Sequence, residues 1–343
     1  MLKKLLEVID GKSVFLGTHW DADGIASGAI IYHLIKNKAK SVKTISKGDV
    51  FLIEPEDIPK NTDIVICTDI HASPDIDKPV IYIDHHPVGD DEFTSNVNDS
   101  KVNYVFNLHD EKAKSCTLVI WENLIKETDN PYFVFLTLIG FFGDGGNHMD
   151  LPPELELKAL EMFPELMEQK QSYYNNGTYL EIQKYVSALN TGKRMHWSGQ
   201  VPLELLKSID SHEPFIYYRH PLAKELERYK YDLREYYSMA LDKIDLNFME
   251  YALIVCDKNI QGVLCQKHMD GKPLLVMNLY KGKIMGSLRV PEELDFDAGS
   301  FLEKFNGKIP GLVGGGHEKA GGLTFDKKHL DDFLEMLGKT KYT

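Results

Sequence analysis

The 343-residue sequence is poor in cysteine, long apolar runs and positive charge, and each shortage closes off a class of function. Its four cysteines, Cys67, Cys116, Cys256 and Cys265, form no Cys-x-x-Cys pair. A disulfide scaffold and a thiolate zinc site are therefore excluded, and reduced core thiols in a cytoplasmic protein are expected. The longest apolar run, "FVFLTLIGFF" (Phe133 to Phe142), is too short to cross a bilayer and reads as a buried helix, so no membrane partner is expected. The opening "MLKKLLEVIDGK" lacks the apolar core and small-residue cleavage site of a signal peptide. Lysine and arginine total 39 against 52 acidic residues, a net charge of −13. That is the reverse of the basic surface with which proteins grip long nucleic acids. Small anionic substrates stay compatible, because only a local field has to be positive, and bound cations would offset part of the acidic excess. The sequence contains no internal repeat and no low-complexity segment.

What is present is an ordinary globular composition, 43% hydrophobic and 27% charged, at a length that suits two domains. The first part alternates short β-branched runs with amphipathic segments. "SVFLGT", "SVKTIS", "TDIVICTD" and "PVIYIDHH" read as strands, and runs such as "IVIC" and "VIYI" suit a parallel sheet covered on both faces. "GIASGAIIYHLIKN", "SCTLVIWENLIKE" and "PYFVFLTLIGFFG" read as helices, the last opening on a favourable N1 proline. The predicted class is α/β, a doubly wound and mainly parallel sheet. Residues 151–220 read as mostly helical, interrupted by "NTGKRMHWSGQ". Residues 221–247 read as a helical connector, and residues 248–343 as a smaller α/β domain with its own sheet.

Three of the four strands read in the first part end in acid or imidazole. "FLGTHWDAD" delivers His19, Asp21 and Asp23; "VICTD" delivers Asp69; "VIYIDHH" delivers Asp84, His85 and His86. After the apolar helix, "FFGDGGNH" adds Asp144. The carboxyl ends of parallel strands line the ligand crevice of such sheets, so these groups are expected to converge. Several carboxylates in one cleft need cations to offset their repulsion. Mixed imidazole and carboxylate donors suit Mn²⁺, Fe²⁺, Co²⁺ or Zn²⁺, and the oxygen count favours Mn²⁺ or Mg²⁺. Taken alone, Asp23 or Asp69 would read as a helix cap. His33, His71, His109 and His268 read as core or surface residues, and His148 and Asp150 as polar loop positions.

In content, order and spacing, "DADGIAS", "CTD", "IDHH" and "FFGDGG" resemble the four motifs of the DHH phosphoesterase superfamily, which includes RecJ-like exonucleases, nanoRNases and cyclic-dinucleotide phosphodiesterases. "GSLRV" and "GGGHEKAGG" resemble its DHH-associated C-terminal domain. The resemblance implies two divalent ions held by His19, Asp21, Asp23, Asp69, His85 and Asp144, with Asp69 between them. It implies that His86 faces the scissile phosphate and that the glycine-rich segment, Gly314, Gly315 and Gly316 with His317, binds substrate. Asp84 reads as fixing an imidazole tautomer or accepting a proton, and the planar fork of Arg289 suits a second phosphate. One departure concerns His19, separated from the first aspartate only by Trp20, where pyrophosphatases and nanoRNases place three residues.

Two ions roughly 3.5–4 Å apart can activate a shared water and clamp a phosphate. Small residues around Gly24 would let a helix N-terminus approach that phosphate. The glycines of the second part would do the same with backbone amides. With metals on one part of the chain and terminal-group capture on the other, the expected activity is exo-acting hydrolysis of short single-stranded oligonucleotides or dinucleotides to nucleoside monophosphates. The alternatives are a RecJ-like exonuclease on long single strands, which generally carries a further nucleic-acid-binding domain that this chain has no room for, and a cyclic-dinucleotide phosphodiesterase. "NTGKRMHWSGQ" offers a small base-stacking or phosphate patch, with an ordinary surface loop as the equal alternative. RNA against DNA is left open, as is oligomeric state, a homodimer being one option.

Overall fold

The computed structural model describes residues 1–48, 51–86, 102–171 and 178–340. The chain divides into two compact units, Met1–Lys193 with Trp197–Tyr231, and Arg194–His196 with Asp232–Thr343.

In the first unit, helix α1 (Leu2–Ile9) leads into β1 (Ser13–His19), α2 (Ala22–Ile35) and β2 (Ser41–Lys47). The two-residue strands β3 (Leu52–Ile53) and β5 (His71–Ala72) pair with each other, on either side of β4 (Ile64–Thr68) in sequence. The main sheet is completed by β6 (Val80–Asp84) and β7 (Tyr104–His109). It is wholly parallel in the order β2-β1-β4-β6-β7. Strand order reverses between β1 and β4, which makes that point the topological switch where open α/β sheets bind ligands. Side chains alternate along a strand, so Phe15, Val65, Cys67, Val80 and Tyr82 share one face. That face is closed by Ile53, Ile70, Ala72, Ile76 and Val102 from the connecting segments. Strand β7 is not marked by any of the apolar runs read as strands: its "YVFNLH" alternates buried and exposed positions as an edge strand does.

Helices α3 (Cys116–Ile120, continued by a π turn Trp121–Ile125), α4 (Pro131–Gly143) and α5 (Pro153–Met162) follow, then the short antiparallel pair β8 (Gln169–Gln171) and β9 (Thr178–Leu180). Asn130 caps α4 through its side chain, ahead of Pro131 at the first turn. The unit closes with α6 (Glu181–His196), α7 (Gln200–Ser208), α8 (Glu213–Ile216) and α9 (Pro221–Asp232). Here "NTGKRMHWSGQ" differs from the loop expected: α6 runs through Asn190 to His196, and only Trp197–Gly199 break it. Packing overrides the poor helix propensities of Asn, Thr and Gly. Thr191 is buried and its hydroxyl donates to Ala188 O at 2.6 Å, while a Cβ on Gly192 would meet Pro202 at 2.6 Å.

The helical connector is also shorter than expected. Helix α9 stops at Asp232 and resumes only as α10 (Arg234–Tyr237). Backbone bonds from Ser238 N to Glu235 O and from Met239 N to Tyr236 O tighten the last turn, and the Ser238 hydroxyl occupies Glu235 O as well.

The second unit is a mixed six-stranded sheet, β10 (Ile244–Asp245), β11 (Glu250–Ile254), β12 (Leu274–Tyr280), β13 (Lys283–Arg289), β14 (Val313–His317) and β15 (Ala320–Asp326), in the order β10-β11-β12-β13-β15-β14. Helix α11 (Gln261–His268) makes the crossover between parallel β11 and β12; α12 (Ala298–Glu303) and α13 (Leu330–Lys339) cover the sheet. Lys281 and Gly282, both at positive φ, form the two-residue turn joining β12 to β13. Among the described residues, no helix is long and apolar enough to cross a membrane.

Candidate metal centre

The carboxyl ends of β1, β4 and β6 bring the acidic and imidazole groups together at the switch point. Asp21 is the N-cap of α2: its Oδ1 accepts from Gly24 N at 3.1 Å. Its Oδ2 lies 2.8 Å from His19 Nδ1. The helix starts this close to β1 because Gly24 has no side chain; a Cβ there would lie 2.5 Å from His19 O. Asp69, just past β4, is buried and sits in the left-handed region at φ +59°. Such a conformation costs a non-glycine residue roughly 1–3 kcal/mol, a strain typical of functional sites.

Asp69 stands between two groups of donors. Its Oδ2 is 3.6 Å from His19 Nδ1, and its Oδ1 is 3.4 Å from His85 Nε2. On the far side, His85 Nε2 lies 2.8 Å from Asp144 Oδ2 and 3.8 Å from Asp23 Oδ2. The result is three groups of ligand-sized spacing, His19–Asp21–Asp69, Asp23–His85–Asp144 and Asp69–Asp84–His85–His86, which share Asp69 and His85. His19 Nδ1, both Asp69 oxygens and Asp144 Oδ2 are buried without a hydrogen-bond partner. Buried polar atoms are normally satisfied, so orphaned ligand atoms gathered in one place are what a cation site requires, and the residues present fit divalent-metal binding. The short His19–Trp20–Asp21 spacing does not keep His19 out of the cluster.

The electrostatics of the cluster follow from this crowding. Burial opposes charge on His19, yet Asp21 and Asp69 outweigh it and raise its pKa to about 9. Burial is likewise overcome at His85, where Asp144 and Asp69 lift the pKa to about 12. Burial, then repulsion from Asp69 and Asp144, holds the Asp23 carboxyl well above its ordinary range. Asp21 moves the other way: against burial, His19 and Lys193 hold it well below.

Residues outside the motifs support this frame. Asp23 accepts from the first amides of α3, Cys116 N at 2.6 Å and Thr117 N at 3.1 Å, so a helix N-terminus fixes the carboxylate. Ser115 caps that helix by accepting from Leu118 N, a signal visible in "SCTLVIW". Lys193 lies 3.8 Å from Asp21 Oδ2. Asp84 is fully buried; its Oδ1 accepts from His86 Nδ1 at 2.8 Å and from His85 N at 2.7 Å. Burial works against this carboxylate, but His86, His71 and His85 keep it ionised far below the ordinary range. His71 and His109, read from sequence as ordinary core or surface residues, belong to the frame: His71 contacts Tyr82, and His109 Nε2 donates to His86 O at 2.7 Å. His33 is structural, bonded to Leu206 O, and His148 pairs with Glu156 at 3.1 Å outside these groups.

In the second unit Arg289 pairs with Ala320, and Ala320 with His317, so the three occupy one row of the sheet. Paired residues share a face, which sets Arg289 and His317 on the same side about two strand spacings, roughly 10 Å, apart. The Arg289 guanidinium donates to Leu288 O at 3.1 Å. Burial, with Arg194 adding repulsion, holds its pKa below the usual arginine value. Gly314, Gly315 and Gly316 form no loop. They are part of the edge strand β14, and Gly314 exchanges both backbone bonds with the Asn306 side chain. The lack of side chains admits α12: a Cβ on Gly299 would lie 2.3 Å from Gly316 O, and one on Gly314 would lie 3.0 Å from Leu302 O.

Residues 253–341 match the DHHA1 domain family. No curated protein matches the chain in sequence. Among solved structures, RecJ from Thermus thermophilus in complex with Mn²⁺ is similar at a TM-score of 0.63 and 16% identity, over 98% of this chain and 53% of that one. The chain thus spans about half the length of that RecJ. An exonuclease RecJ bound to manganese follows at 0.60 and 16% identity, covering 98% of this chain and 92% of that one. An exopolyphosphatase-related protein from Bacteroides fragilis follows at 0.50 and 15%, covering 98% and 94%. Identities this low establish the fold: a parallel sheet with flanking helices, then a second unit with a mixed sheet. The Asp-His-His strand end and its partners stand on that parallel sheet, and residues 253–341 of the second unit match the DHHA1 domain family.

Proposed function

We propose that the protein is a metal-dependent phosphodiesterase that removes nucleoside monophosphates from the end of short single-stranded oligonucleotides. The observation that carries the reading is the convergence of His19, Asp21, Asp23, Asp69, His85 and Asp144 on orphaned, buried donor atoms either side of Asp69. Manganese is the preferred ion, because two imidazoles among many carboxylate oxygens suit it and RecJ structures of this fold contain Mn²⁺. Bound there, two divalent ions would supply Lewis acidity and an activated water at phosphorus.

The chain's own residues do the rest. Asp69 would bridge, offering one oxygen to each cluster. His86, tethered through Nδ1 to Asp84, would offer its other ring nitrogen to the phosphate oxygens or the departing group. The amides at the start of α2 favour negative charge beside Asp21. Arg289 has a planar fork suited to a second phosphate and a share in one sheet row with His317. A net charge of −13 argues against long polyanions as the main substrate.

The deciding experiment compares kcat/KM, with Mn²⁺ present, for a dinucleotide, a five-mer, a long single strand, a cyclic dinucleotide and pyrophosphate. The shortest linear substrates should be turned over best. A long strand preferred by a large factor would replace this reading with a RecJ-like one, and a preference for the cyclic compound or pyrophosphate would replace it with those chemistries.

A further inference from the structure

The hydrogen bonding around Asp84 continues past the motif into the sheet. Tyr82, two residues earlier on β6, points to the same face as Asp84 and is fully buried. Its hydroxyl donates to Asp84 Oδ2 at 2.5 Å and accepts from His71 Nδ1 at 2.7 Å. The opposite oxygen, Oδ1, is the one that accepts from His86 Nδ1 at 2.8 Å. The carboxylate is therefore clamped at both ends, by a phenol on one side and by the His86 imidazole and the His85 amide on the other. The Tyr82 ring lies nearly parallel to the imidazoles of His71 and His109, each with centroids 6.1 Å away, at 28° and 26°.

Packing alone does not ask for this hydroxyl. Tyr82 sits among Phe15, Val65, Cys67, Ile70 and Val80, where a phenylalanine would fill the same space without a polar group to satisfy. Burying a hydroxyl is costly unless it is bonded, and here both its bonds run along one line, His71 to Tyr82 to Asp84. A carboxylate held by donors on one oxygen only can swing about its Cβ–Cγ bond and carry the His86 ring with it. A bond to the other oxygen removes that freedom, in a low-dielectric setting where hydrogen bonds are strong.

We propose that Tyr82, backed by His71, is a positioning residue that acts through Asp84 to hold the His86 imidazole in its working orientation. The proposal rests on the reading of His86 as the residue that faces phosphate. Partners one step removed from reacting groups typically matter by 10–100-fold, and a similar loss in kcat is expected here.

The test uses the full chain with Mn²⁺ and a dinucleotide, and ¹⁵N-histidine NMR with diamagnetic Mg²⁺ in its place. Tyr82→Phe should lower kcat about 10- to 100-fold with KM little changed, and should shift or broaden the Nδ1–H resonance of His86. In the double variant with Asp84→Asn, the Tyr82→Phe change should add almost nothing, since both act along one path. Should Tyr82→Phe fail to fold, His71→Leu carries the same readouts. Wild-type kcat with an unaltered His86 resonance overturns the proposal, as does full additivity with Asp84→Asn. If the wild-type protein hydrolyses no phosphodiester, the functional reading fails, while the His86 resonance still decides whether Tyr82 positions that ring.

Discussion

His19 Nδ1 and Asp21 Oδ2 stand 2.8 Å apart across the single residue Trp20, where β1 turns into α2. In the metal-free fold that contact is an ion pair, because Asp21 and Asp69 overcome burial and hold His19 protonated up to about pH 9.

The first expectation is a proton count. A metal ion needs the His19 and His85 lone pairs, and their pKa values of about 9 and about 12 mean that both rings carry protons at neutral pH. Binding of Mn²⁺ at pH 7 should release protons and tighten as pH rises. Titration calorimetry in buffers of different ionisation enthalpy reads this directly; a heat independent of buffer contradicts it. The sign for stability is opposite. The folded pKa of His19 lies above its ordinary 6.5, so its contribution to the metal-free fold is complete below pH 6.5 and is lost as pH rises through about 9. The Tm of metal-free protein should therefore fall over that window, with the loss reversed by Mn²⁺.

Asp69 is the second point of test. Its two oxygens face His19 and His85 respectively, so on the proposed two-ion reading Asp69→Ala should weaken both ion sites together and cost more than the roughly 100-fold typical of outer partners. Metal titration should show both sites affected. Loss of only one, with turnover intact, would remove the bridging role.

Gly140 tests the frame around Asp23. A Cβ there would lie 2.3 Å from Asp23 Oδ1 and 2.2 Å from Thr117 Oγ1. Gly140→Ala should cost about 1–3 kcal/mol of stability, as overpacking does, and should weaken metal binding by displacing Asp23. Denaturant melts and metal titration check it, and an unchanged metal affinity would show that the Asp23 carboxylate does not depend on that space.

Arg289 tests the proposed capture of a second phosphate. Removing a charged hydrogen-bonding partner costs about 1.5–3 kcal/mol, so Arg289→Ala should raise KM about 10- to 100-fold with kcat largely kept. An unchanged KM would take the second unit out of substrate binding.

Much of the parallel sheet could be read from β-branched runs such as "IVIC" and "VIYI", because strands buried on both faces need continuous apolar sequence. β7 escaped that rule as an edge strand, and α6 continued through Asn190–Gly192 because Thr191 and Gly192 pack into contacts that no local propensity encodes. The candidate ligands were legible because each ends a strand or follows a helix in "DAD", "CTD", "DHH" or "GDGG". Their supports were not. The α3 amides beneath Asp23 lie more than ninety residues away in sequence, and His71 and His109 look like ordinary histidines until the fold stacks each of them on Tyr82.

By itself, then, the sequence determined which strand ends carry acid and imidazole, since alternation and apolar runs are local properties of the chain. Only the tertiary structure decided that Asp69 sits at positive φ between two clusters, that the "GGGH" glycines belong to an edge strand packed by α12, and that Tyr82 reaches Asp84. Those outcomes depend on which distant surfaces close on one another, and close packing settles that through contacts between residues far apart in the chain.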